Sequence, residues 1–343
     1  MPPFVVVGTM GKRLDRGYIQ SWNFALQEEL KWGFTGQVGY VATRQVKQLG
    51  FIEVNAGTPG GGNASRPLFQ KFGRSTSTRL ITPLGTDHYD ALQARLDRRF
   101  ANGYQAQVAY TWSKAMGICC NDNSDGLPAI QLPQYYRLNR SVTGYDQPQV
   151  LAVTTIADLP FGKGKKWLSG GVGRVLTGGW RVNSIFTASS GLPFSVTASG
   201  TSLNAPGNTQ RADQVKPSVK KLGGIGPGQS YFDPFAFAPV TDERFGTAGF
   251  NSMRGPGSVN LDLGLFREFS IKDRFNLQFR AEAFNSTNTP HFANPGRNVA
   301  NLQLNSDGTI RSLGGYTEVT GIKAGSREGV DERTIRFGLR FSF

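Results

Sequence analysis

Cysteine and histidine are scarce in this chain of 343 residues. The cysteines are Cys119 and Cys120, and the histidines are His88 and His291. The cysteines are adjacent and neither a CxxC nor an HExxH spacing occurs, so the sequence lacks the common ligand patterns of metal sites. Two interpretations of Cys119 and Cys120 stay open, a vicinal disulfide in an oxidising compartment and two inert loop thiols, and the thiols are favoured.

Long apolar runs are missing too. No stretch approaches the ~20 apolar residues that a membrane-spanning helix requires. The N-terminal segment, residues 1–8, lacks the basic start and the long apolar core of a secretory signal. Because an outer-membrane protein needs such a signal, an outer-membrane assignment predicts that this chain is part of a longer one.

Clustered charge is also lacking, although the formal net charge is +14. The densest basic group, Lys163, Lys165 and Lys166, lies in a Gly-rich turn. Nucleic-acid interfaces concentrate Lys and Arg in one patch or stripe, so we expect no nucleic-acid partner. Scattered Arg at alternating strand positions fits a polar lumen or a rim that faces lipopolysaccharide better.

Glycine and phenylalanine are abundant, with 44 Gly and 24 Phe, which indicates β structure with many turns. The C-terminal segment alternates most clearly, with apolar residues on one strand face and polar residues on the other. The apolar set is Ile335, Phe337, Leu339, Phe341 and Phe343, and the polar set is Thr334, Arg336, Gly338, Arg340 and Ser342. Soluble chains tend to end in polar, frayed residues. This terminus instead resembles the last strand of an outer-membrane barrel, which carries apolar residues toward lipid.

Period-two alternation predicts nine long strands along the chain. They lie near residues 18–31, 33–44, 88–101, 103–114, 148–159, 180–187, 260–265, 275–283 and 333–343. Segment 88–101 also fits a helical spacing, but the Asn102-Gly103 pair that follows it is typical of a hairpin turn.

Short and long connections alternate between the predicted strands. The long ones are 45–87, 115–147, 190–258 and 286–331. Transmembrane barrels have short periplasmic turns and long extracellular loops, whereas a soluble β-sandwich has no reason to place every long loop at one end. The sequence therefore predicts an all-β fold, an antiparallel transmembrane β-barrel with long extracellular loops.

The strand number predicts an incomplete barrel. If Phe343 ends in the periplasm, counting back through nine strands places the first strand's start outside the cell. Bacterial single-chain barrels have an even number of strands and start inside. We therefore expect residues 1–343 to be one unit, the C-terminal part of a larger barrel.

Several short motifs occur in an order that resembles one family. They are Ser21–Phe24, Val38–Val41, Tyr89–Leu96, Tyr110–Lys114, Leu159–Lys165, Gly178–Trp180, Ser190–Phe194, Arg254–Gly257 and Phe279–Asn285, followed by Asn288, Pro290 and Phe292. Together they resemble the barrel end of the TonB-dependent receptor-like proteins of acidobacteria, called Oar-like, which carry an N-terminal carboxypeptidase-regulatory-like domain.

The resemblance implies an outer-membrane receptor in which a plug fills a barrel of about 22 strands. It implies import of a bulky ligand, with energy delivered by the TonB complex through a plug that has no counterpart in this sequence. It also implies that the barrel-assembly machinery reads Phe337, Leu339, Phe341 and Phe343 as a signal strand. Lipid and lipopolysaccharide would surround the barrel. The alternatives are a passive porin or adhesin-like barrel and, less favoured, a secreted carbohydrate-binding β-sandwich.

No catalytic constellation is present, so we expect no enzyme and no cofactor. The Gly-rich runs at 57–63 and 223–228 lack the contexts of phosphate-binding and dinucleotide-binding loops. A calcium loop at Asp122, Asn123, Asp125 and Gly126 lacks the closing Glu of an EF-hand, so a polar exposed loop is favoured there.

Charged residues on the polar faces of the predicted strands are the candidate lumen-facing set. They are Arg95, Asp97, Arg99, Asp262, Arg280, Glu282, Arg336 and Arg340. Two interpretations stay open, a plug interface or substrate path and a structural ladder of cross-strand ion pairs, and the ladder is favoured. Barrels carry bands of aromatic residues, called girdles, at the two membrane interfaces. The candidate girdle residues are Tyr40, Tyr104, Tyr110, Trp112 and Trp180.

Overall fold

The computed structural model describes residues 7–11, 14–118, 128–162, 167, 170–171, 177–271, 275–323 and 332–343. Its main element is one large sheet with nine long strands, which we call the wall. The wall strands are β1 (Tyr18–Glu29), β2 (Phe34–Glu53), β3 (Thr78–Ala101), β4 (Tyr104–Gly117), β5 (Gln149–Asp158), β6 (Trp180–Ser189), β7 (Ser258–Ile271), β8 (Phe275–Phe284) and β9 (Thr334–Ser342).

Each wall strand pairs antiparallel with the strands that precede and follow it in sequence, from β1 to β9. Two short strands extend the sheet at one end. Val7–Met10 lies parallel to Thr78–Ile81 of β3, and Ser141–Val142 pairs antiparallel with β4. In the described part of the chain the wall is an open arc, with β1 and β9 at its two edges.

The nine strands predicted from alternation are confirmed. The largest difference is at β2 and β3, which pair as far as Glu53 and Arg79, well beyond the predicted ends at residues 44 and 88. The extension contains a register shift around Lys47, which has a φ of 56°, and it also includes Pro83. Bulges and proline both interrupt a period-two pattern, so alternation did not indicate this part of the ladder.

Two alternative interpretations of the sequence are wrong. Segment 88–101 is a strand and not a helix. The nine long strands form one sheet and not two packed sheets, which excludes the β-sandwich. Among the described residues, no helix is long and apolar enough to cross a membrane.

Strand register gives the wall two chemically different faces. Across β1 to β4, Phe24, Tyr40, Leu92 and Trp112 lie directly opposite one another in a row, and Phe337 continues the same face on β9. We call this the apolar face. The opposite side, the polar face, carries Gln, Asn, Thr and charged residues. On β1 and β9 the apolar side chains are largely exposed, with Phe24 66% and Phe337 74% accessible.

The connections make the two ends of the wall different. One end carries the turns 30–33 and 102–103, together with the connections 159–179 and 272–274. The other end carries the connections 54–77, 118–148, 190–257 and 285–333. We call these the short-turn end and the long-loop end.

The described residues of the long connections pack together into one layer, which we call the loop layer. It contains the helix Pro67–Phe72, the 3-10 turns Asn63–Ser65, Pro133–Asn139, Pro234–Ala236 and Val299–Asn301, and three small two-stranded ladders. The ladders pair Asp213–Gln214 with Phe237–Ala238, Pro193–Phe194 with Met253–Arg254, and Gln303–Leu304 with Ile310–Ser312.

The loop layer, and not the wall, contains the buried core. One cluster includes Phe194, Phe232, Phe237, Val299 and Tyr316, and a second cluster joins Ile130, Leu203 and Phe250 to their neighbours. The rings of Phe232 and Tyr316 meet edge-on, with centroids 5.6 Å apart. In the described wall strands the buried hydrophobic residues are alanines: Ala42, Ala91, Ala106 and Ala115. The described residues of the long connections therefore have a hydrophobic core of their own.

The β3–β4 turn supplies a test of the hairpin. Asn102 and Gly103 have φ values of 55° and 79°, as a two-residue type I′ turn requires. We expect Gly103→Val to destabilise the purified protein by about 1–3 kcal/mol because a β-branched residue is strained at positive φ. Urea unfolding followed by tryptophan fluorescence measures the change. Asn102→Gly is the control, and an equal loss in both variants would contradict the turn assignment.

Candidate functional site

The charged residues predicted to face a lumen lie on the polar face of the wall in two separate groups. The first group is on β3, where the guanidinium of Arg95 and the carboxylate of Asp97 are 2.6 Å apart. Arg99 is exposed and lies where the β3–β4 register shifts, before the turn. The Arg95 side chain is 53% accessible, so this ion pair contributes little to stability.

The second group lies on β7, β8 and β9. Glu282 is directly opposite Arg336, and Arg340 is directly opposite Gln278. The guanidinium of Arg280 donates a 2.9 Å hydrogen bond to Gln278. Asp262 accepts hydrogen bonds from the backbone N–H of Asn285 at 2.8 Å and from the side chain of Asn260 at 2.9 Å. Strands β4, β5 and β6 separate the two groups.

This arrangement only partly resembles the predicted ladder of cross-strand ion pairs. Glu282 and Arg336 are in cross-strand register, whereas Arg95 and Asp97 pair along a single strand. Between the two groups, Asp158 on β5 and Arg181 on β6 form a cross-strand ion pair of 3.0 Å on the same face, so charged residues continue across the polar face. That these residues line a lumen stays a prediction.

The terminal strand β9 is an edge of the wall. Phe341 stacks on Phe275 of β8 with ring centroids 5.6 Å apart, and Phe337 lies 6.4 Å from Phe279. Phe337, Leu339, Phe341 and Phe343 are between 55% and 94% accessible. The strand thus presents one apolar face and an unpaired backbone edge, and its role as an assembly signal stays a prediction.

Aromatic residues of the apolar face fall near both ends of the wall. Tyr104 and Trp180 lie at the short-turn end, where the guanidinium of Arg267 is 5.4 Å from the Trp180 ring centre. Tyr40 and Trp112 lie nearer the long-loop end, and Tyr110 lies one row inward of Trp112. Two aromatic bands with an aliphatic zone between them are typical of a membrane-spanning sheet.

An ion pair that the sequence did not indicate fastens the loop layer to the wall. The Asp146 side chain is 1% accessible and receives a hydrogen bond from the guanidinium of Arg254. Arg254 also donates to the carbonyl oxygens of Asp146 at 2.9 Å and Gly191 at 3.3 Å. The second Asp146 oxygen accepts from the backbone N–H of Ala115 on β4 at 2.6 Å. Three loop segments and one wall strand therefore meet at this pair.

A second junction is built around Glu53, at the end of β2. Its carboxylate accepts hydrogen bonds from the N–H groups of Asn55 at 2.9 Å and Thr78 at 2.8 Å and from the Ser77 hydroxyl. The N–H of Glu53 donates to the side chain of Gln131 at 2.8 Å. Glu53 is 6% accessible, and these partners compensate its burial. No motif marked it, because its partners come from separate loops.

The Gly-rich run at 57–63 is a packed part of the loop layer. Gly60 and Gly62 donate backbone hydrogen bonds of 2.8 Å to the carbonyls of Leu203 and Asn204. The run 223–228 forms turns against residues 230–231 and Val319. Neither run adjoins a β-α-β unit, so both serve as structural turns.

Other candidate residues lie outside the described residues. They are Cys119, Cys120, and the calcium-loop residues Asp122, Asn123, Asp125 and Gly126. Within the described ranges, no three His, Cys, Asp or Glu side chains come together as metal ligands.

Comparison with known proteins identifies the chain. Residues 2–326 match the family described as outer membrane beta barrel domain. The chain belongs to this family, and the outer membrane is its location. No protein of curated function matches the chain in sequence.

Among solved structures, the outer membrane transporter YddB from Escherichia coli is similar, with a TM-score of 0.46 and 8% sequence identity. The match covers 96% of this chain and 33% of that one, so the chain spans about a third of the length of the transporter.

The Asp146–Arg254 pair supplies a test of the loop anchor. We expect Arg254→Ala to loosen the connections 128–148 and 190–257, at a cost of about 1–3 kcal/mol, because a buried carboxylate loses its cationic donor. Hydrogen exchange of peptides from these connections measures the change, and Arg311→Ala, on an exposed hairpin, is the control. Unchanged exchange in the Arg254 variant would contradict the anchor.

The Asp213–Arg244 pair gives the loop layer a pH dependence. Arg244 donates hydrogen bonds of 2.9 and 2.7 Å to the two oxygens of Asp213, which holds the pKa of Asp213 below its ordinary value of 3.8. The stabilisation is therefore present above pH 3.8 and is lost as the pH falls through the lowered pKa.

We expect faster hydrogen exchange of the 190–257 connection at acid pH, by roughly two- to fivefold beyond the intrinsic rate change, because Asp213 becomes protonated. Asp213→Asn is expected to remove this excess, whereas Glu243→Gln, at an exposed carboxyl group nearby, is expected to keep it. An equal acid response in the Asn variant would show that Asp213 is not the source.

Proposed function

We propose that the wall is one arc of a TonB-dependent outer-membrane receptor of the Oar-like type, and that the full-length protein imports a bulky ligand. The observation that carries this proposal is the direction of the edge strands. Because each of the nine strands is antiparallel to the next, β1 and β9 run in the same direction. An antiparallel barrel needs an even number of strands, so closing this arc requires further strands, odd in number.

The loop layer supports a receptor role. A passive pore needs an open mouth, whereas a receptor must offer a shaped surface that recognises its ligand. In this protein the described residues of the connections at the long-loop end fold around two buried clusters and are fastened to the wall by Asp146–Arg254 and Glu53. A surface with its own core is pre-organised for binding, which lowers the entropic cost of holding a large ligand.

The same proposal assigns the partners. The wall would be surrounded by lipid and lipopolysaccharide, and the barrel-assembly machinery would read Phe337, Leu339, Phe341 and Phe343. A plug supplied by another part of the full-length protein would contact the charged residues of the polar face and would connect the barrel to the TonB complex. The role is transport rather than catalysis.

Electrical and binding measurements on the full-length protein test the proposal. A plugged receptor is expected to be nearly silent in a planar bilayer and to be retained by the immobilised periplasmic domain of TonB. A steady ohmic conductance would contradict the proposal and would indicate a passive porin. A silent protein that the TonB domain does not retain would also contradict it and would favour a surface barrel of the adhesin type.

A further inference from the structure

A row of hydrogen-bonded polar side chains lies on the polar face of the wall, where β6 and β7 meet the loop layer. The hydroxyl oxygens of Ser189 and Ser258 are 3.0 Å apart. The side-chain nitrogen of Gln147 donates to Ser189 at 3.3 Å, and the ammonium of Lys323 donates to Ser258 at 3.2 Å. We call these four residues the donor cluster. Each of the four is partly accessible, so the cluster is open to the polar side of the wall.

The fold holds Lys323 in place beside β7. The backbone N–H of Lys323 donates a 2.7 Å hydrogen bond to the carbonyl oxygen of His291. The Nε2 atom of His291 lies 3.0 Å from the carbonyl oxygen of Val259, and His291 is 3% accessible. The segment that carries Lys323 is therefore attached to β7 one residue from Ser258. Its ammonium is positioned against the sheet and does not extend freely into solvent.

The positive charge of Lys323 has no carboxylate to balance it among the described residues. The described partner of its ammonium is the Ser258 hydroxyl alone. Burial lowers the pKa of Lys323 below its ordinary value of 10.5. The carboxylate of Asp146 is already paired with Arg254. Asp262 lies on the same face but four residues further along β7, roughly 13 Å of strand from Ser258. A partly buried charge of this kind favours an anionic partner.

Proton counting shows that the donor cluster has more donors than acceptors. Gln147 and Lys323 approach the serines with nitrogen atoms that only donate, so each end of the cluster delivers a proton to a hydroxyl oxygen. A second hydrogen bond, 3.2 Å from the Gln147 nitrogen to the carbonyl oxygen of Ser190, fixes the orientation of the amide. One serine then donates to the other. One hydroxyl proton and the remaining ammonium protons have no acceptor among the described residues, so the cluster is complementary to a group that only accepts.

We propose that the donor cluster binds a carboxylate group of the ligand that the full-length protein imports, and this rests on the proposed function. An ionised carboxylate only accepts hydrogen bonds, and its single negative charge matches one ammonium. A phosphate group carries more charge and is more often held by the planar fork of Arg. Ser189 and Ser258 are the end residues of β6 and β7 at the long-loop end. An acidic ligand that passes from the loop layer to the polar face therefore meets the cluster first.

Acylation of lysines by a succinimidyl ester, resolved by peptide mass spectrometry, tests the proposal on the full-length wild-type protein in detergent. A bound carboxylate holds the Lys323 amine in its protonated, unreactive form. We therefore expect sodium acetate to slow acylation of Lys323 by about threefold or more relative to sodium chloride at equal ionic strength, and acetamide to have no effect. Lys71, exposed on the helix of the loop layer, is the internal control and is expected to react equally in all three solutions.

Equal acylation of Lys323 in acetate and in chloride would overturn the proposal, and so would an equal slowing at Lys71. Sodium phosphate is a further arm of the experiment. Stronger protection of Lys323 by phosphate than by acetate would overturn the carboxylate assignment and would indicate a phosphorylated ligand. The measurement detects anion binding and not transport. Failure of the donor cluster is thereby distinguished from failure of the receptor role, which retention by the TonB domain measures.

A pair of variants at one position locates the binding. Ser258→Ala removes the hydroxyl that joins Lys323 to the rest of the donor cluster, and we expect it to weaken acetate binding about fivefold because a hydrogen bond to the carboxylate is lost. Ser258→Thr keeps a hydroxyl and is expected to bind acetate like the wild type. Full protection of Lys323 in folded Ser258→Ala protein would contradict the assignment. The wild-type comparison needs no variant, so it stands whether or not the alanine variant folds.

Discussion

The structure depends on one constraint: in the described part of the chain, most of the apolar face of the wall has no protein packed against it. Nine strands place their aromatic and aliphatic side chains on one side, and the described part of the chain provides no second sheet against it. Leaving that much apolar surface in water is unfavourable by roughly 25 cal/mol per Å². A bilayer removes this cost. Strand pairing provides hydrogen-bond partners for the backbone N–H and C=O groups, which lipid tails cannot provide. Residence in the membrane is therefore a condition of the fold.

The wall strands and the long connections are stabilised in different ways. In a water-soluble protein the core lies under the regular elements, but here the buried aromatic residues belong to the long connections. The wall strands are held in place by their hydrogen-bonded ladders and by the surrounding lipid, whereas the loop layer is held together by its own buried core. Charged and amide groups fasten the two parts where they meet, at Asp146–Arg254 and at Glu53. A ligand approaching from outside would encounter a pre-formed surface.

The sequence pattern predicted some elements of the fold and missed others. Alternation located all nine wall strands and their turns, because side chains on a two-faced sheet must follow a period of two. It missed the upper ladder of β2 and β3, where a register shift and Pro83 interrupt the pattern. The sequence did not indicate that the Gly-rich run at 57–63 packs against Leu203 and Asn204, because that contact joins segments about 140 residues apart.

The sequence by itself determined that this protein forms a β-sheet with one apolar face, one polar face and connections of unequal length at its two ends. It could do so because successive side chains of a strand point to opposite faces, so the local alternation of residues assigns each one to a face. Only the tertiary structure decided what the long connections do. Asp146 and Arg254 are 108 residues apart, and nothing local marks either as the other's partner. The concavity lined by Leu92, Trp112 and Arg254 has the same origin, since it exists only where three neighbouring strands and segments of two connections are brought to one place.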